Sequence, residues 1–98
     1  MPFAPAALIL AAALAVQAPP LLLGADETAV AARLGEPLTA RREGLGGMWT
    51  YRFRTCVLYV FFRAEAGGPL RVSALEAAPL APGAASPTPE ACLAEAPR

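Results

Sequence analysis

The chain has 98 residues, and its eight arginines balance eight acidic residues, with no lysine and no histidine. A formal net charge of zero argues against a nucleic-acid partner or a general anionic-membrane binder, because both need a basic excess. The absence of histidine removes Ser-His-Asp and Cys-His catalytic groups and His-ligated zinc sites. We therefore expect no enzyme activity, no cofactor and no nucleic-acid partner.

The first charged residue is Asp26, and an apolar run, Ala6–Val16 (AALILAAALAV), precedes it. As a helix this run rises about 16 Å, roughly half the thickness of a bilayer core. That length is typical of the apolar part of a secretory signal and is short for a transmembrane helix. We interpret residues 1–18 as a signal peptide cleaved after Ala15 or Ala18, which predicts a periplasmic or secreted protein. An uncleaved N-terminal membrane anchor and a soluble apolar tail are the alternatives, since no arginine precedes the run.

The two cysteines are Cys56 and Cys92. In an exported protein an even cysteine count indicates a disulfide. The bond would close a loop of about 37 residues and contribute about 4 kcal/mol through loss of chain entropy in the unfolded state. Two free thiols, one of them buried as a small hydrophobe, are the alternative. A metal site is not expected, because two cysteines alone offer too few soft ligands.

The first element in chain order is a short helix that ends at Leu34. Asp26 is a suitable N-cap residue, and Val30 and Leu34 lie four residues apart on one helical face. Gly35 then supplies the C-terminal stop, and Pro37 prevents continuation. A helix of about nine residues is weak in isolation, so it must pack on another element.

The rest of the domain has the pattern of an antiparallel sheet. In Met48–Arg54 the aromatic residues Trp49, Tyr51 and Phe53 alternate with Met48, Thr50, Arg52 and Arg54, which is the period of a half-buried strand. Thr55–Phe62 (TCVLYVFF) is more hydrophobic throughout and rich in β-branched and aromatic residues, and it is expected to be a central strand covered on both faces. The other predicted strands are Leu38–Arg42 and Leu70–Ala77.

From Ala78 onward the chain is rich in proline and is expected to be an extended tail. Glu90–Ala94 is predicted to form one helical turn, with Pro89 at its first position. If Cys92 is bonded to Cys56, this tail folds back across the sheet. The predicted organisation is a signal peptide (1–18), a domain (22–77) and a Pro-rich tail (78–98). The fold class is α+β, with one short helix on a three- to four-stranded antiparallel sheet.

One set of residues has the spacing G-x5-V-x3-L-G-x-P followed by W-x-Y. Its members are Gly24, Val30, Leu34, Gly35, Pro37, Trp49 and Tyr51. This pattern resembles the SmpA/OmlA (BamE-like) family of bacterial envelope proteins over about residues 22–76. The resemblance implies a helix that ends at the Leu-Gly pair and leads past the proline into a three-stranded antiparallel sheet, with W-x-Y on a strand. The matched positions are structural, so the resemblance transfers no partner-binding residues.

Typical members of that family are lipoproteins with a cysteine directly after the signal. No cysteine precedes Cys56 in this chain. We therefore expect no N-terminal lipid anchor, and a protein that is free in the periplasm or held there by a partner.

Two function hypotheses remain. The first is a non-enzymatic exported domain that acts by protein–protein contact in envelope maintenance or outer-membrane protein assembly. Its candidate contact surfaces are an exposed strand edge and the adjacent Arg41 and Arg42, which either bind a carboxylate or phosphate or are simply solvated. The second is a secreted inhibitor-like or ligand-binding module that uses the aromatic sheet face. On that face Trp49 and Tyr51 are either core residues or recognition residues.

A thiol-dependent enzyme is a third class of function. Cys56 opens an apolar strand, and the chain has no histidine to activate its thiol. We therefore expect no thiol chemistry.

Overall fold

The computed structural model describes residues 22–97. The elements in chain order are α1 (Glu27–Leu34), β1 (Thr39–Glu43), β2 (Gly46–Arg52), β3 (Cys56–Arg63), β4 (Arg71–Pro79) and α2 (Pro89–Leu93). The four strands form one antiparallel sheet in the order β1-β2-β3-β4. The predicted α+β fold class is confirmed, with four strands where the family resemblance implied three. The predicted signal peptide, residues 1–18, lies outside the described residues.

Helix α1 is capped at both ends as the sequence predicts. The Asp26 carboxylate accepts a hydrogen bond from the Ala29 N–H at 2.9 Å, and the helix stops at Gly35, whose φ is +84°. Val30 and Leu34 are buried in the core. Neither α1 nor α2, the helices within residues 22–97, is long and apolar enough to cross a membrane.

The strands are joined by short turns, so consecutive strands are neighbours. Gly44 and Leu45 connect β1 to β2, and Gly44 has a φ of +54° at the turn position where a two-residue hairpin commonly takes glycine. The second hairpin turns at Arg54-Thr55, where the Phe53 N–H donates to the Cys56 carbonyl at 2.8 Å. Strand β1 of the first hairpin begins one residue later than predicted and runs from Thr39 to Glu43.

Strand β3 is buried on one face only. Its alternate residues Cys56, Leu58, Val60 and Phe62 are buried, whereas the intervening side chains of Val57, Tyr59 and Phe61 are half-buried. The expectation that this strand is covered on both faces is therefore wrong for the described part of the chain. Both faces of β3 are apolar, so its composition does not reveal that the two helices pack on the same face.

We call the face under α1 and α2 the helix face, and the opposite face, which carries Met48, Tyr59 and Phe61, the open face. Met48 of β2 pairs directly with Phe61 of β3, and Tyr59 of β3 lies in the next row on the same face, where it pairs with Thr50. On the helix face, the hydrophobic core joins α1, the sheet and the tail into one cluster.

The two edges of the sheet differ. Along β4, the N–H of Gly24 donates to the Val72 carbonyl and the Val72 N–H donates to the Ala25 carbonyl, both at 2.9 Å. The chain before α1 thus pairs with the first residues of β4 and covers that end of the edge. Strand β1 has a neighbouring strand on one side only within residues 22–97.

The tail folds back onto the sheet through a disulfide. Cys56 at the start of β3 is bonded to Cys92 in α2, with a Cα–Cα distance of 5.9 Å, and both residues are fully buried. The predicted disulfide is confirmed. Strand β4 continues to Pro79, two residues beyond the predicted end, and α2 has proline at its first position.

Replacing both cysteines by alanine should lower the free energy of unfolding by about 4 kcal/mol, because the unfolded chain regains the entropy of a loop of about 37 residues. Urea denaturation of the oxidised wild type and of the double alanine variant measures the loss. The reduced wild type is the control for packing, because it keeps both sulfur atoms. A loss below about 1 kcal/mol would contradict this account of the tail.

Candidate functional site: the free edge and the open face

The edge strand β1 is exposed along all five of its residues. A two-residue turn follows Glu43, so Glu43 and Gly46 form the hydrogen-bonded pair that closes the hairpin. Hydrogen-bonded and non-hydrogen-bonded pairs alternate along an antiparallel ladder. The backbone N–H and C=O groups of Ala40 and Arg42 therefore point away from β2, and none of them has a hydrogen-bond partner within residues 22–97.

Arg41 and Arg42 lie on opposite faces of the sheet. Arg41 pairs with Met48 on the open face, and Arg42 pairs with Gly47 on the helix face. Arg41 lies 3.8 Å from the Glu43 carboxylate, in an ion pair whose side chains are both largely exposed. The two guanidinium groups therefore do not converge on one anion: Arg41 has Glu43 beside it on the open face, and Arg42 lies on the helix face.

The open face has an apolar centre and a charged rim. Met48, Tyr59 and Phe61 form the centre, and each is half-buried. Strand pairing places four arginines and two glutamates on this face: Arg41, Arg52, Arg63, Arg71, Glu43 and Glu76. This face thus combines an apolar surface with an excess of two positive charges.

A groove of about 680 Å³ lies on the open face. Arg41, Met48, Phe61 and Arg63 are among its lining residues, and Gly46 forms part of its floor between Glu43 and Arg63. Because glycine has no side chain, the surface between Glu43 and Arg63 is recessed at Gly46. The groove reaches Arg41 on β1, so it is continuous with the free edge of the sheet.

The sequence alone does not reveal the open face. Tyr59 and Phe61 lie on the strand that the sequence predicts to be covered on both faces, and no sequence pattern singles out Arg63. The available signal was the cluster of arginines on either side of the apolar strand, but it does not indicate which arginines share a face.

The predicted motif residues lie on or beside the helix face. Tyr51 is buried, and its hydroxyl donates a hydrogen bond of 2.9 Å to the Gly35 carbonyl. This bond joins the Leu-Gly and W-x-Y parts of the motif, which are 16 residues apart. Burial raises the pKa of Tyr51 to about 12. Pro37 is half-buried in the link from α1 to β1.

The other aromatic residues of β2 are packed beside Tyr51. Trp49 is partly buried with its ring edge-on to Phe62 at a centroid distance of 4.9 Å, and Phe53 stacks on Tyr51 at 6.2 Å. Since all three rings pack against the core, they do not form a free aromatic surface. Arg41 and Arg42, by contrast, lie on the exposed strand.

Tyr51→Phe should lower the free energy of unfolding by about 1 kcal/mol at neutral pH, because one hydrogen bond is lost. The unfolded chain releases the phenolic proton near pH 10 and the folded protein near pH 12. Wild-type stability should therefore fall as the pH rises from about 10 to 12, and this component should be missing in the variant. Urea denaturation at pH 8 and pH 11 measures both effects.

Tyr59→Phe is the matched control, because the Tyr59 hydroxyl has no hydrogen-bond partner within residues 22–97. Equal losses at neutral pH from the two substitutions would contradict a specific role for the bond between Tyr51 and Gly35.

A second polar contact attaches the tail to the hairpin between β2 and β3. The Glu95 carboxylate accepts a hydrogen bond from the Thr55 N–H at 2.9 Å and another from the Thr55 hydroxyl. These two bonds, with a smaller contribution from the charge of Arg54, lower the pKa of Glu95. The contact lies near the disulfide and closes the same end of the sheet.

Because the pKa of Glu95 is lower in the folded protein, its stabilising effect is full above the pKa of glutamate in the unfolded chain, about 4.3. The effect is lost as the pH falls through the folded value. Glu95→Gln should therefore destabilise the protein more at pH 6 than at pH 3, as measured by urea denaturation. Glu76→Gln, an exposed glutamate with no hydrogen bond to the described residues, is the control. An equal effect of Glu95→Gln at both pH values would contradict the prediction.

Within residues 22–97 no group of three or more potential ligands is placed to hold a metal ion. Comparisons with family models, curated proteins and solved structures find no match for the chain. The candidate site is therefore defined by the geometry of the free edge and the open face.

Proposed function

We propose that this protein is a non-enzymatic exported domain of the SmpA/OmlA type, which acts by protein–protein contact in envelope maintenance or outer-membrane protein assembly. The observation that carries the proposal is the free β1 edge beside an apolar, arginine-rimmed open face. Exposed strand edges and apolar patches with a charged rim are typical of surfaces that bind other proteins.

The disulfide supports export. Cys56 and Cys92 are bonded to each other and fully buried, and such bonds persist in oxidising compartments. The bond also occupies both thiols, so the proposed function uses no thiol chemistry.

The order of elements supports the family proposal. A helix that ends at Leu34 and Gly35 leads past Pro37 into the sheet, and Trp49 and Tyr51 lie on its second strand. The hydrogen bond from Tyr51 to Gly35 gives this spacing a structural reason, because it attaches the end of the helix to the sheet.

The alternative function, an inhibitor-like or ligand-binding module, was expected to use the aromatic face of β2. Tyr51 is only 3% exposed, and Trp49 and Phe53 are packed against the core. The surface on which that alternative depends is therefore largely occupied, and we favour the contact function.

The first test is the intact mass of the full chain after expression with its own N-terminus in a bacterial host, before and after reduction. The proposal expects a periplasmic protein whose mass corresponds to cleavage after Ala15 or Ala18. Reduction should raise that mass by about 2 Da, since two sulfur atoms each gain a hydrogen. A full-length cytoplasmic product with free thiols would overturn the export part of the proposal.

The second test places a photo-crosslinking amino acid at Thr39 on the free edge, with Thr28 on the exposed side of α1 as the matched control. The proposal expects an envelope protein to be crosslinked from position 39 and not from position 28. Equal crosslinking from both positions, or none to any envelope protein, would count against a contact function at this site.

A further inference from the structure

The free edge of β1 offers a defined set of hydrogen-bonding groups. Ala40 and Arg42 each direct one N–H and one C=O away from β2, and Arg41 directs its backbone groups toward β2. An added strand would pair with Ala40 and Arg42 without disturbing the sheet. This is the geometry by which extended peptides bind to sheet edges.

The charges on this edge specify the side chains of an added strand. Arg41 projects onto the open face and Arg42 onto the helix face, so two adjacent residues of the incoming strand each meet one guanidinium group. Opposite charges facing each other across strands are favourable, and like charges are unfavourable. Two adjacent acidic residues, one on each face, are therefore the complementary pair.

The open face extends this complementarity. Arg41 lies in the same row as Met48 and Phe61, at the end of the groove. An acidic side chain opposite Arg41 would therefore lie at the mouth of the groove. Arg63 on the groove wall adds a further positive charge.

A second copy of this chain fits the edge less well. In the symmetric antiparallel register that uses the outward groups of both Ala40 and Arg42, Arg41 faces Arg41 of the other copy. Centring the pair on Arg42 places two copies of that arginine opposite each other, but it also places each Arg41 opposite Glu43 of the other copy. The register that uses every outward group of Ala40 and Arg42 therefore opposes like charges, which disfavours self-pairing in that register.

We propose that the β1 edge binds an extended acidic segment of a partner protein by strand addition, through the outward backbone groups of Ala40 and Arg42 and the guanidinium groups of Arg41 and Arg42. This inference rests on the proposed contact function and names the chemistry of the partner.

The test uses the full chain and three fluorescent synthetic peptides. The first peptide, Thr-Val-Glu-Glu-Val-Thr, is acidic and favours an extended strand. The second replaces both glutamates by lysine, and the third replaces both valines by proline, which removes strand-forming N–H groups but keeps the charge. Fluorescence anisotropy measures binding at low and moderate salt. The acidic strand peptide should bind at least about 10-fold more tightly than either of the others, and more weakly at higher salt.

Amide hydrogen exchange distinguishes strand addition from charge attraction. The acidic peptide should slow exchange of the Ala40 and Arg42 amides at least about 10-fold, because these N–H groups acquire partners. The Arg41 amide already pairs with β2, and its exchange should be unchanged.

Two variants separate the backbone contribution from the charge contribution. Ala40→Pro removes an outward N–H and keeps both arginines, at a position where an edge strand tolerates proline. Arg42→Glu keeps the backbone and reverses one charge. Each should weaken binding of the acidic peptide at least about 10-fold, whereas Arg33→Glu, a charge reversal on exposed α1, should change it less than about 2-fold. Thermal unfolding identifies any variant that has failed to fold, and Arg42→Glu then carries the test in place of Ala40→Pro.

Equal binding of the acidic and lysine peptides would overturn this inference, as would binding that survives both edge variants. Protection of the Ala40 and Arg42 amides without peptide would also overturn it. Protection that depends on protein concentration would assign the edge to a second copy, and concentration-independent protection would assign it to residues 1–21 of the same chain.

If position 39 still crosslinks an envelope protein in Ala40→Pro, the contact function stands and strand addition fails. If the peptides behave as expected but the chain is cytoplasmic, the export proposal fails and the edge site stands.

Discussion

The disulfide between Cys56 and Cys92 is the constraint on which the organisation of this small domain depends. The segment after β4 contains little secondary structure that could hold it in place. Its helix α2 has only five residues, and the chain around α2 is rich in proline. Such a helix has no stability in isolation. The bond holds it against the start of β3, so that Leu93 and Ala96 join the hydrophobic core. The last part of the chain thereby becomes part of the domain.

A consequence of this arrangement is that both helices cover the same face of the sheet. Helix α1 is attached at its beginning by pairing of the preceding residues with β4, and at its end by the bond from Tyr51 to Gly35. The tail then fills the rest of that face. The open face receives no covering element from residues 22–97, and its apolar centre stays half-buried between arginines.

The two edges of the sheet also differ. Within residues 22–97, the β4 edge is partly paired by the chain before α1, and the β1 edge is free. Charged residues at a free edge oppose uncontrolled pairing, which is a general hazard of exposed strands. On β1 the two arginines lie on opposite faces. In the proposed strand addition they would complement an acidic strand, and they would oppose a copy of themselves in the register centred on Arg41.

Local sequence signals determined the elements of this protein. Asp26 and Gly35 fixed the ends of α1, and alternation in Met48–Arg54 fixed β2, with errors of one or two residues. The two cysteines indicated the disulfide for an exported protein, and only one pairing of them is possible. These features depend on residues close in sequence or on covalent chemistry, which a single sequence contains.

Only the tertiary structure decided which face each element occupies. Strand β3 is apolar on both sides, so its sequence does not show which side the helices cover, and the expectation of two covered faces was wrong. Whether Arg41 and Arg42 act together also depends on the pairing register of β1 and β2, which places them on opposite faces. The contact between Glu95 and Thr55 joins residues 40 apart. Such long-range placement arises from the packing of the whole domain, and no local pattern specifies it.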